Sequence, residues 1–174
     1  MPLRSFQLFV LAVALSAGPV GAQQEIKAPF GMQWGESPDR IRTVVTNAKA
    51  KVVEERTSGQ REVMAVDGIV QEGLKRTLFY FEEGGLSEVE LHYDREGWDD
   101  ARVGSWVSTI KTQADRKYGP GRLYADERGD ADGVQHTLRG WLWLQNFVSL
   151  RLVHYTAQQG EEKLRRISLH YCAE

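Results

Sequence analysis

An α+β fold of two tandem helix-plus-four-antiparallel-strand units, with the sheet covered by helices on one face, is the architecture this sequence predicts. Three observations point to it: two amphipathic helical segments with capping residues, short alternating runs after each, and glycine-bearing turns between those runs. With 41% hydrophobic and 26% charged residues in 174, the chain has apolar material for one packed domain, which excludes disordered and collagen-like classes. Its 22 basic residues face 24 acidic ones with no concentrated basic block, so a nucleic-acid partner has no electrostatic footprint here.

In chain order, Met1 to Arg4 supply a positive start and Phe6 to Ala17 an apolar stretch broken only by Gln7 and Ser16. Val20-Gly21-Ala22 then places small residues at a cleavage point. Residues 1–22 are therefore expected to be a signal peptide, and the protein to be periplasmic or secreted. The apolar run falls short of the ~20 residues that cross a bilayer, so no membrane span is expected after cleavage. No cysteine stands near the site for lipid attachment.

Residues 23–95 form the first expected unit. Ser37 is placed to cap a helix, Pro38 fits its first position and Asp39 faces the positive helix end, with Ile41, Val44, Val45 and Ala48 at helical spacing. Strands are expected at Lys51 to Arg56, Arg61 to Val70, Lys75 to Phe81 and Leu86 to Asp94. Residues 96–174 form the second unit. Asp99 or Asp100 caps a helix whose Val103, Trp106, Val107, Ile110, Ala114 and Tyr118 share one face, and Gly119-Pro120 ends it. Strands follow at Arg122 to Asp126, His136 to Leu144, Phe147 to Tyr155 and Leu164 to Cys172. Leu91-His92-Tyr93 closes the first half and Leu169-His170-Tyr171 the second, the mark of an internal duplication.

This element order, with Trp34-Gly35-Glu36-Ser37-Pro38 opening one helix and Lys117-Tyr118-Gly119-Pro120 ending the other, resembles the tandem architecture of the beta-lactamase inhibitory protein family. The single unit is similar to the small outer-membrane assembly lipoproteins of the SmpA/OmlA type. The resemblance implies a protein-binding role. The chain departs from the inhibitor family in having one cysteine, Cys172, and hence no intramolecular disulfide; it departs from the lipoproteins in lacking the amino-terminal lipidated cysteine.

In the run from His136 to Leu144, alternation sets Leu138, Leu142 and Leu144 on one face and Arg139, Trp141 and Trp143 on the other. With the leucines toward the helices, Arg139, Trp141 and Trp143 are expected on the open face, joined by Arg151, Val153, Tyr155, Arg166, Ser168 and His170. The first half would add Glu88, Glu90, His92 and Asp94. Tryptophan, tyrosine and arginine dominate protein interfaces, so Arg139, Trp141, Trp143, Arg151, Tyr155 and His170 are the expected partner-binding residues; the two tryptophans could equally fill a core.

No His-x-x-x-His or Cys-x-x-Cys spacing, phosphate loop or dinucleotide fingerprint is present, so no metal site and no cofactor are expected. No nucleophile elbow stands in the sequence, and no catalytic residue is assigned. The expected function is that of an exported, non-enzymatic module binding a protein of the cell envelope, as inhibitor, immunity factor or adaptor. A small-ligand binder for a glycan or lipid fragment is the alternative, and a hydrolase built on His92 or His170 with nearby acids the third.

Overall fold

Ser37 opens the first helix as its chemistry requires: its Oγ accepts the Arg40 N–H at 3.3 Å, and the helix α1 runs Pro38–Asn47 with Ile41 and Val45 buried. The computed structural model describes residues 23–94 and 97–173, and the segment expected to be a signal peptide lies outside the described residues. Four strands follow α1: β1 (Lys51–Ser58), β2 (Arg61–Asp67), β3 (Leu74–Glu82) and β4 (Gly85–Tyr93). The second helix, α2 (Asp100–Tyr118), is capped by Asp99, whose Oδ1 accepts the Arg102 N–H at 2.7 Å; Gly119, at φ 85°, ends it. Then come β5 (Arg122–Ala131), β6 (Val134–Gln145), β7 (Val148–Gln159) and β8 (Glu162–Ala173).

The architecture is not the expected one of two tandem helix-plus-four-strand units. The eight strands form a single antiparallel sheet in the order β1-β2-β3-β4-β8-β7-β6-β5. Its central seam is β4 against β8, paired from Glu88↔Cys172 to Tyr93↔Ile167. The physical reason is that β4 and β8 each carry buried core residues, Leu91 and Leu169 among them. An unpaired row of N–H and C=O groups beside such residues is costly, and pairing the two strands removes both open edges at once. The two Leu-His-Tyr tripeptides meet there, with Leu91 opposite Leu169. The remaining edges, β1 and β5, each carry an irregularity, at Val53 and at Tyr124, of the kind that discourages further strand addition.

One cross-strand row shows where the core lies: Met64, Phe79, Val89, Tyr171, Leu150 and Trp143 succeed one another across six strands. All six pack with Ile41 and Val45 of α1 and Val103 and Val107 of α2 in one apolar cluster, so both helices cover the same face. The lead-in before α1 crosses this face as a strap. Gln24 N–H donates to Lys117 C=O at 2.9 Å at one end, and Gly35 N–H to Leu86 C=O at 2.9 Å at the other. Between them Ile26, Ala28 and Met32 are buried. No helix among the described residues is long and apolar enough to cross a membrane.

Candidate functional site

The orientation of β6 decides which side chains the open face offers. β6 and β7 are joined by the two-residue turn Asn146-Phe147, with Asn146 at φ 51°, so Gln145 pairs with Val148. Trp143 then stands opposite Leu150 and Trp141 opposite Leu152, the core positions of β7. Trp143 is 2% exposed beneath the end of α2; its indole N–H lies 3.1 Å from Asp115 Oδ1 and 3.0 Å from Gly119 C=O. A buried indole needs such an acceptor. Gly121 makes room for the ring, since a Cβ there would collide with it. Trp141 is half-buried against the same core, and Arg139 lies in the row of Ile167 on the helix side, 3.2 Å from Asp126.

Of the residues expected on the open face, the structure therefore places Arg139, Trp141 and Trp143 on the helix-covered side. Arg151, Tyr155 and His170 do face the open side, beside the leucines expected to point inward. Leu144 is 60% exposed there, and Tyr124 44%. The error is one of parity: with a period of two, one wrong choice of inward face inverts a whole strand.

At the β4–β8 seam the open face gathers a polar cluster. Glu90 faces His170 across the strands, and Ser168 faces His92. His92 Nε2 lies 2.6 Å from Glu90 Oε1, and the Tyr80 hydroxyl donates to Glu90 Oε2 at 2.9 Å. His170 Nδ1 lies 3.4 Å from Glu88 Oε1, while its Nε2 is hydrogen-bonded to Ser168 Oγ at 2.8 Å. Arg61 pairs with Glu88 at 2.9 Å and Arg151 approaches the same carboxylate at 3.5 Å. Burial pushes the Glu88 carboxyl up, but hydrogen bonds from His170 and Arg61 outweigh it and hold the group below its ordinary value. Burial likewise opposes ionisation of Glu90; the His92 hydrogen bond and the nearby His170 charge prevail and bring it down to about 2. Burial and the Glu90 charge together push the Tyr80 hydroxyl upward.

Ser168, His170 and Glu88 thus stand in the order hydroxyl, imidazole, carboxylate. A nucleophile needs an open approach, however, and Ser168 is 2% exposed. Glu88 is committed to Arg61 as well as to the imidazole. The cluster satisfies buried charge, which an isolated carboxylate in this position would not tolerate. No group of three or more potential ligands among the described residues is arranged to hold a metal ion. Cys172 lies half-buried on β8, opposite Glu88 and Ser149. Sequence reasoning placed Glu88, Glu90, His92 and His170 on the open face and set His170 with nearby acids without naming them, because the Glu88 contact spans 82 positions.

No family model, curated protein or solved structure matches the chain.

Proposed function

We propose that the protein is an exported, non-enzymatic binding module that engages another protein of the cell envelope through the sheet face its helices leave uncovered. One observation carries this reading: on β5 to β8 that face combines exposed or half-exposed Tyr124, Leu138, Leu142, Leu144 and Tyr155 with Arg122, Arg151 and Arg166. Apolar and aromatic side chains interleaved with arginine, held on paired strands, are the composition of a protein interface. The burial of Ser168 supports a non-enzymatic reading over a hydrolase built on His170. The resemblance to the inhibitor family and the expected signal peptide favour the same role and address.

The test is affinity capture from envelope extract with the wild type and a Leu142→Glu, Tyr155→Ala double variant whose fold has been checked by circular dichroism. A partner enriched by the wild type and lost from the folded variant is the expected result. A partner retained equally by both rejects this face.

A further inference from the structure

The two halves of the open face handle charge differently. On β1 to β4 each arginine of this face has its carboxylate: Arg56 with Glu54 at 3.0 Å, Arg61 with Glu82 at 2.9 Å and Glu88 at 2.9 Å, and Arg76 with Asp67 at 2.8 Å. On β5 to β8 the pattern stops. Among the described residues no ion pair involves Arg122 or Arg166, both exposed. Arg151 keeps a 3.5 Å approach to the already shared Glu88, and its buried Nε has no hydrogen-bond partner.

The strand registers set these guanidiniums around apolar side chains. Arg122, Leu142 and Arg151 form one cross-strand row, and Leu138, Tyr155 and Arg166 form another. The row between them holds Gly140, over which the Tyr124 ring lies, and Val153. Four residues of strand, about 13 Å at the usual rise, separate the two rows, so Arg122 and Arg166 lie on opposite sides of the apolar side chains. A guanidinium stands on each side.

Resting on the protein-binding reading above, we infer that the partner segment seated on β5 to β8 is acidic and apolar in composition. Its carboxylates pair with Arg122 and Arg166, and its apolar side chains cover Leu138, Leu142 and Tyr155. Arginine suits this task because its planar fork meets a carboxylate with two parallel hydrogen bonds. Anionic lipid fits less well. A flat anionic surface would overlie the Glu54, Glu88 and Glu90 carboxylates of the first half of the face as well, which a single segment seated on β5 to β8 does not reach.

The experiment records backbone amide NMR shifts of the full chain against three probes. These are a synthetic peptide alternating aspartate and leucine, its lysine-for-aspartate counterpart, and vesicles of phosphatidylglycerol with phosphatidylcholine. The inference expects saturable shifts from the acidic peptide, confined to β5 to β8, weakened at least tenfold by Arg122→Glu or Arg166→Glu and by raising salt from ~50 to ~500 mM. The lysine peptide should leave the spectrum unchanged. Equal binding of both peptides on this face overturns the acidic assignment while leaving the face as a protein-binding surface. Binding of the acidic peptide elsewhere, or none at millimolar concentration, also overturns it, with the face itself judged by the capture experiment. Arginine-dependent binding of vesicles without peptide binding replaces the protein segment by a lipid surface.

Discussion

Trp143 and Leu144 are neighbours on β6, yet the tryptophan is 2% exposed and the leucine 60%. Both are apolar, so hydropathy alone does not separate them. The β6–β7 register turns them to opposite faces, and the inner position fits Trp143 because its indole N–H has two acceptors at the end of α2 and Gly121 leaves space for the ring. The helix-covered face was built around shape and a hydrogen bond, whereas the open face keeps apolar side chains without covering them. The comparison can be broken most directly by truncation. Trp143→Ala should cost about 3–5 kcal/mol, the range for emptying a large aromatic site, while Leu144→Ala should stay within about 0.5 kcal/mol. Urea denaturation of both variants measures this, and comparable losses at the two positions would remove the distinction between the faces.

Acid sharpens the contrast, because the open face holds charge where the other holds hydrocarbon. Glu90 titrates at about 2 in the folded chain against an ordinary 4.5. A carboxyl lowered on folding contributes stability that is fully present above the unfolded value and is lost as pH falls through the folded one. The contribution is on the order of 2–3 kcal/mol while the neighbouring imidazoles carry charge, and it is lost as the pH falls from roughly 4.5 to 2. Thermal melts across that window should show it, and Glu90→Gln should flatten the decline. A variant melting with the wild-type pH profile would mean that Glu90 is not the group responsible.

Glycine substitutions compare the faces at a smaller scale. A Cβ at Gly121 would meet the buried Trp143 ring, which is held by two acceptors and cannot swing away. Gly121→Ala should therefore cost about 1–3 kcal/mol, as overpacking does. A Cβ at Gly140 would approach the Tyr124 ring within 2.6 Å, but Tyr124 stands exposed on the edge strand and is free to move outward. Gly140→Ala should cost less than about 1 kcal/mol by the same denaturation measurement. The reverse order would show that the open face is the more rigidly packed.

Both helices were legible in the sequence because their determinants are local. Ser37-Pro38 and Asp99 cap them, Gly119 stops the second, and the face of α2 read from Val103 to Tyr118 is the face it buries. The joining of the halves into one sheet was not legible, since the β4–β8 register is a long-range choice among edges; only the matching Leu-His-Tyr tripeptides hinted at it. The β6 parity was within reach. A two-residue turn at Asn146-Phe147 pairs Trp143 with Leu150, and Leu150 alternates with Leu152 as core. Following the turn rather than the attraction of leucine to a core would have put the tryptophans inside.

A single hydrogen bond tests the meaning of the polar cluster. Ser168 Oγ is hydrogen-bonded to His170 Nε2 at 2.8 Å and Ser168 is 2% exposed, so its hydroxyl is part of the packed sheet. Ser168→Ala removes that one bond and leaves the imidazole held by Glu88, with Glu90 3.5 Å from its Nε2. The loss should be about 0.5–1.5 kcal/mol, the net value of a single hydrogen bond. Partner capture should be unchanged, because the hydroxyl does not reach the surface where Arg122, Tyr155 and Arg166 stand. A variant that keeps its stability but loses all partner capture would reverse this assignment and make the hydroxyl part of the recognition surface. A stability loss with capture intact locates the serine in the framework that holds His170, beneath the exposed residues of this face.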